Sequence, residues 1–269
     1  MRINHNISAL NTYRQFNTNT VATSKSMEKL SSGLRINRAA DDAAGLSISE
    51  KMRSQIRGLD QAVRNAQDGV SFIQTAEGAL NEVSDMLVRL KELAVQVQNG
   101  TYSDADKINI GSEMTALGTA MNNIHANTKF NGIGVFTAGA AIKYGEDGGQ
   151  TVTIAAYTST NLNALTTLTG AATTAANAML VTTGAVELAI TEVNTTRATY
   201  GAQQNQLEHA ANNLSTTKEN LQAAESRVRD VDMADEMMEY TKNNILIQAA
   251  QAMLAQANSQ PQGVLQLLQ

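Results

Sequence analysis

Apolar residues recur at every seventh position late in the chain: Val193, Tyr200, Leu207, Leu214, Leu221 and Val228. A second series lies in the first half. Leu59, Val63, Ala66, Val70, Ile73, Leu80, Leu87, Leu90, Ala94 and Val97 follow a three-four spacing with a step or two missing. Apolar positions every 3.5 residues draw a seam along a helix, and a seam needs a partner. The two seams lie in different halves, so the halves are expected to pack on each other. The predicted fold is mainly α: a long antiparallel helical bundle or coiled-coil rod formed by the N- and C-terminal regions. A small β-hairpin or loop insert is expected mid-chain.

A first helix is predicted over 5–33. Ile7, Leu10, Val21, Met27, Leu30 and Leu34 give it an apolar stripe, diluted by Asn11, Asn17, Asn19 and Ser24. Such a stripe is too weak to hold a helix alone, so this segment should order only against a partner. Ser31-Ser32-Gly33 marks a break, and 35–42 is a charged connector ending in Asp41-Asp42, which favour a helix start. The second helix is predicted over 43–98, roughly 80 Å at the α-helical rise. Gly58, Gly69 and Gly78 interrupt it, which suggests either close approach of another element or solvent exposure. Asn99-Gly100 is a stop, and Ser103 with Asp106 resembles a capping box for a third helix over 104–128.

Residues 129–176 change character. Asn131-Gly132, Gly145 and Gly148-Gly149 are turn signals, and Thr151–Ile154 alternates like a short strand. The Thr/Ala-rich stretch 158–176 is expected to be a surface loop. The helical pattern returns from 177 to about 258, and Pro261 should end it. Val264, Leu265, Leu267 and Leu268 then form an apolar tail, a liability in a monomer and a contact in an assembly.

Composition narrows the function. Among 269 residues there are one Pro, no Cys and no Trp, and aromatics make up 4%. A large globular core would lean on aromatic area, and thin helical bundles do not. A net charge of −5 offers no basic face for nucleic acid. The uncharged stretches Gly148–Val186 and Asn243–Gln269 are broken by Thr, Asn, Gln and Gly, so no membrane span is expected. The start Met-Arg-Ile-Asn-His-Asn has no apolar h-region, so export, if it occurs, is expected to bypass a cleavable signal.

No chemistry assembles. His5, His125 and His209 lack ligand spacing, and without Cys no thiolate metal site exists. Asp41-Asp42 suits a helix dipole better than acid–base work. Gly132-x-Gly134 follows no strand and precedes no helix, so it fails the context of a phosphate loop. No catalytic, cofactor-binding or metal residues are therefore assigned, and a helical enzyme is the weaker reading. A polar row, Arg197, Gln204, Lys218 and Glu225, is either a solvated face or a register selector with acidic partners on 77–92.

Three strings now carry a family likeness. The start MRINHNISALNTYRQ, the run KLSSGLRINRAADDAAGLSISEKMRSQIRGLDQAVRNAQDGVSFIQTAEGALNEV and the end ANSQPQGVLQLL resemble bacterial flagellin, over about 1–136 and 177–269. The chain is similar to the short flagellins whose outer variable domains are nearly absent. The resemblance implies an organisation and a function. Segments 1–42 and 226–269 would form an inner coiled coil lining a filament channel, with contacts from Ile3, Ile7, Leu10, Val264, Leu265 and Leu268. Segments 43–136 and 177–225 would form a rod layer, and 137–176 a short surface insert. The chain would leave the cell unfolded through the flagellar type III apparatus and polymerise with itself at the filament tip.

The implied partners are an export chaperone at the C-terminal segment, filament cap and hook-junction proteins, and the vertebrate Toll-like receptor for flagellin. For that receptor the motif LVRLKELAVQ supplies Arg89 and Leu93, with Glu113 on the next helix. Neither nucleic acid nor membrane is implied. Two further readings remain beside this one. A hook–filament junction protein shares the terminal design. A coiled-coil signalling module would share the heptads but would need a symmetric hairpin tip mid-chain.

Overall fold

Helix ends are set by side chains that claim the free backbone groups of each first turn. The Asn6 side-chain oxygen accepts from the Ala9 N–H and opens α1 (Ile7–Ser32). Gly33, at φ 71°, closes it with an N–H to the Lys29 carbonyl. Asp42 Oδ1 accepts from the Gly45 N–H at 2.9 Å where α2 (Ala43–Val97) begins. The Asp41 carboxylate instead ties the connector, accepting from the Arg38 and Asn37 N–H groups. Those bonds hold its pKa below the usual carboxylate value. At the start of α3 (Asp104–Asn127) the capping box is complete. Ser103 Oγ accepts from the Asp106 N–H at 3.3 Å, and Asp106 accepts from the Ser103 N–H at 3.1 Å.

The structure, a computed structural model, describes residues 6–157 and 160–267, with side chains described through residue 260. Ile3, His5 and Leu268 lie outside the described residues. After α3 come two small antiparallel hairpins. β1 (Lys129–Phe130) pairs with β2 (Ile133–Gly134) through Asn131-Gly132, both at positive φ, the turn an Asn-Gly pair favours. β3 (Ala140–Lys143) pairs with β4 (Thr151–Ile154), Ala140 facing Ile154 and Lys143 facing Thr151. The remaining helices are α4 (Thr160–Gly170), α5 (Ala175–Ala178), α6 (Thr183–Arg229) and α7 (Met233–Leu267).

Three sequence expectations are corrected. The stretch 158–176, expected to be a loop, holds α4 and the first half of α5 where described. Leu162, Leu165, Thr166, Thr169 and Ala172 are buried there, a three-four pattern that mixes two leucines with small uncharged residues. Helix α3 receives them at Gly111 and Gly118, where an added Cβ would sit 2.1 Å from the Ala172 carbonyl and 2.0 Å from Thr169 Oγ1. The helical stretch from 177 breaks at residues 230–232, where Asp232 Oδ1 accepts from the Ala234 N–H and starts α7. Pro261 does not end α7, which continues to Leu267. Proline lacks the N–H that would bond the Ala257 carbonyl. The Asn6 side-chain amide donates to that carbonyl instead, at 2.7 Å.

The chain divides into two compact units: Met1–Ser54 with Glu219–Gln269, and Gln55–Lys218. In the second unit α2 and α6 run antiparallel. Asp60 pairs with Lys218, Glu77 with Arg197 and Lys91 with Glu187, so one number falls as the other rises. The core between them and α3 holds Ile73, Leu80, Leu87, Leu90, Leu93, Met114, Met121, Val193, Tyr200 and Leu207, all buried. Gly69 allows the close approach that its spacing suggests, with Ile142 and Leu207 at 3.0 Å from an added Cβ. Gly78 meets nothing within 4 Å and is an exposed position. The β3–β4 hairpin is fastened by side-chain amides: Asn65 donates to the Lys143 carbonyl and Gln203 to the Thr153 carbonyl.

Candidate assembly surface

In the first unit α1 and α7 pair antiparallel. Asn6 meets Ala257 at one end, and Lys29 pairs with Glu236 at 3.3 Å toward the other. The most deeply buried residues between the two helices are small or polar. On α1 only Asn19 and Ser26 are fully buried, seven positions apart. Among the described side chains of α7 the buried positions are Ala250 and Ala257, again seven apart. Partly buried residues extend the same stripes, among them Thr12 and Phe16 on α1, and Tyr240, Asn243, Ile247 and Leu254 on α7. The seam thus alternates small or polar residues with partly buried apolar ones.

Many of the large apolar side chains point the other way. Ile7 is 63% exposed and Leu10 68%, with Tyr13, Val21 and Met27 also exposed. On α7, Ile245 is 64% exposed, and Met233, Met237, Met238, Leu246 and Met253 share that outward orientation. The stripe anticipated on the first helix is therefore real, but Ile7, Leu10, Val21 and Met27 face away from α7. The sequence signal for the inner seam was the seven-residue spacing of Asn19 and Ser26, which a search for apolar residues passes over. Val264 and Leu265 fall on the α7 backbone beyond the described side chains.

The connectors of this unit are fastened to each other. The Arg35 N–H donates to the Arg229 carbonyl at 2.7 Å, the Val231 N–H donates to the Gly33 carbonyl at 3.1 Å, and Leu34 bridges to Asp230. Arg229 also pairs with Glu50 at 2.5 Å, and that hydrogen bond holds the Glu50 carboxyl below its ordinary pKa. Glu225 of the polar row meets Arg53 at 3.9 Å. With Arg197 and Lys218 also engaged across helices, three members of that row make cross-helix pairs, as register selection requires. Lys218 pairs with Asp60, outside the anticipated 77–92, while Gln204 bonds Glu208 on its own helix.

Among the rod-seam candidates, Leu59, Ile73, Leu80, Leu87, Leu90, Val193, Tyr200 and Leu207 are buried. Val63, Val70, Leu214 and Leu221 are half-buried. The receptor candidates divide. Arg89 is exposed and forked, donating to Glu113 Oε1 at 2.9 Å and to Glu92 Oε2 at 2.8 Å. Those two carboxylates push its pKa further up, Glu92 foremost. Val88 and Val95, seven positions apart, are exposed together to one side of it on α2. Leu93 is 1% exposed and belongs to the core beneath, so it supports this surface and does not reach outward.

Burial raises the pKa of the Tyr157 and Tyr200 hydroxyls. His125 stacks on Phe136 at 5.6 Å. Among the described residues no group of three His, Cys, Asp or Glu side chains could hold a metal ion, and no helix is long and apolar enough to cross a membrane.

Fold and surface thus define a helical structural protein whose chain ends pair with each other and show many of their apolar residues outward. The family model for the bacterial flagellin N-terminal helical region matches residues 3–138, and that for the C-terminal helical region matches 183–268. The chain is 50% identical over 303 aligned residues to a flagellin of Bacillus subtilis (strain 168), with all of both chains covered. It is 50% identical over 272 to a flagellin of Halalkalibacterium halodurans, again with full coverage. It is 45% identical over 288 to the flagellar filament 33 kDa core protein of Treponema phagedenis, likewise with full coverage. The chain belongs to the bacterial flagellin family, a family of structural proteins and not of enzymes.

Proposed function

We propose that this chain is the repeating subunit of an extracellular flagellar filament and polymerises with itself through α1 and α7. The observation that carries the reading is the outward row of Ile7, Leu10, Ile245 and Met253 on a helix pair whose most deeply buried positions, Asn19, Ser26, Ala250 and Ala257, are small or polar. A subunit gains little by folding these ends alone. It gains about 25 cal/mol for each Å² of apolar area that neighbours cover. Repetition along a filament multiplies a modest gain per contact. Full-length similarity to filament flagellins favours this role over that of a hook–filament junction protein or a signalling module.

The layout that follows assigns 1–42 and 226–269 to an inner coiled coil, 43–136 and 177–225 to a rod layer, and 137–176 to the surface insert. Unfolded export through the flagellar type III apparatus fits ends whose most deeply buried positions are small or polar, which cost little to unfold. An export chaperone would shield the apolar face of α7. Cap and hook-junction proteins would meet the same face during and before growth. Leu10→Asp and Ile245→Asp test the assembly role. Both positions are exposed, so the helical signal should stay intact while sedimentation detects no filaments. Filaments of normal length from both variants would refute it.

For the vertebrate Toll-like receptor, the fork of Arg89 with Glu92 and Glu113, with Val88 and Val95 exposed to one side, offers a charged surface with one apolar flank. Leu93 would act from beneath by holding α2 in place. Arg89→Ala should weaken receptor signalling by the monomer, read as a right-shifted dose–response in reporter cells. An unshifted curve would remove Arg89 from the contact.

A further inference from the structure

Methionine exposure separates α3 from the α1–α7 pair, although Met179, between α5 and α6, is also 46% exposed. Met114 and Met121 on α3 are fully buried, whereas all four methionines of α7 are exposed: Met233 48%, Met237 48%, Met238 62% and Met253 58%. On α1, Met27 is 52% exposed. The pairing of Lys29 with Glu236 places Met27 level with Met237 and Met238 along the helix pair. One end of the pair therefore carries Met27, Met233, Met237 and Met238, and the other carries Met253 near the level of Leu10. None of the five lies on the seam, so their thioethers are open to solvent in the single subunit.

We infer that these five thioethers are a peroxide-sensitive modification site that controls whether a subunit can polymerise. The inference rests on the assembly reading above and deepens it. In the reaction a methionine sulfur attacks one oxygen of a hydroperoxide. The O–O bond breaks, the sulfur gains one oxygen and becomes a sulfoxide, and the peroxide is reduced to water or an alcohol. A sulfoxide is polar and chiral where the thioether was apolar and pliable. On an outward face that must be dried in assembly, each one adds a polar group needing a partner. The α1–α7 seam contains none of these residues, so the folded subunit should tolerate the change. Covering by neighbours would protect the same sulfurs in a finished filament.

The test uses the full chain and hydrogen peroxide. Monomer and preformed filaments receive the same dose, and peptide mass spectrometry reads each methionine. Expected are sulfoxides at Met27, Met233, Met237, Met238 and Met253 of the monomer, unmodified Met114 and Met121, and about tenfold less oxidation of the five in filaments. Oxidised monomer should retain its helical signal and lose about tenfold in filament yield. A variant with all five changed to Leu, which keeps apolar area at exposed positions, should polymerise equally with or without peroxide. Undiminished polymerisation of monomer carrying the five sulfoxides would overturn the inference while leaving the assembly reading intact. Oxidation of Met114 and Met121 at the same rate would overturn its selectivity. Untreated chain that never polymerises would refute the assembly reading itself, and with it the control proposed here.

Discussion

The two units spend their apolar residues differently. In Gln55–Lys218 a core of large side chains points inward, with Ile73, Leu80, Leu87, Leu90, Leu93, Met114 and Met121 at 0–1% exposure. In the unit built from both chain ends, the buried positions of the helix pair are Asn19, Ser26, Ala250 and Ala257, while Leu10 and Ile245 face solvent. The first arrangement stabilises a subunit that stands alone. The second leaves stabilisation to be supplied by other subunits. A chain that must be handled one copy at a time and then locked into a polymer gains from separating the two tasks.

The comparison breaks most visibly under truncation of one leucine from each unit. Leu87→Ala removes a fully buried side chain and should cost about 2–5 kcal/mol of stability in the monomer. Leu10→Ala should change monomer stability by about 0.5 kcal/mol or less, because that side chain is already wet. Denaturant melts of the unpolymerised chain measure both. Equal losses at the two positions would mean that the outward face is covered within the subunit. In filaments the order should narrow, with Leu10→Ala now lowering the dissociation temperature.

Much of the second unit was legible in the sequence because its seams use Leu, Ile, Val and Tyr at regular spacing, and its caps use Ser103 with Asp106. Helices α4 and α5 were missed because Leu162 and Leu165 are interspersed with Thr and Ala in their buried stripe, and what admits them is the absence of a Cβ at Gly111 and Gly118, about fifty residues earlier. The break after Arg229 was missed for a similar reason. It holds no Gly or Pro, and its backbone is tied to Gly33 and Arg35, remote in sequence. Of the assembly surface, the apolar face of α1 was legible, whereas its direction was not. Direction depends on which stripe the partner helix takes, and a seam in which Asn19 and Ser26 alternate with Phe16 leaves only a diluted hydrophobic signal. Among the receptor candidates, a motif could place Arg89, Leu93 and Glu113 in sequence, but only packing separates an exposed Arg89 from a buried Leu93.

The finest difference between the units lies at Pro261. A proline within a helix costs about 3 kcal/mol, partly through the carbonyl it leaves without a donor. Here that carbonyl belongs to Ala257, and Asn6 supplies the donor while its oxygen caps α1. One side chain thus serves both helices of the weaker unit. Asn6→Asp keeps the acceptor for the Ala9 N–H but removes the amide donor and sets a carboxylate beside the Ala257 carbonyl. It should destabilise the α1–α7 pair by about 1–2 kcal/mol and leave the Gln55–Lys218 unit unchanged. Amide exchange resolves the two, with faster exchange expected along α7 and none of it in α3. The cause can be isolated with Pro261→Ala, which restores a backbone N–H for Ala257 within α7. In that background Asn6→Asp should lose most of its effect, giving a coupling of about 1 kcal/mol in a double-mutant cycle. If Asn6→Asp costs the same with and without Pro261, the Asn6 amide is not compensating for the proline, and α7 must tolerate it by another route.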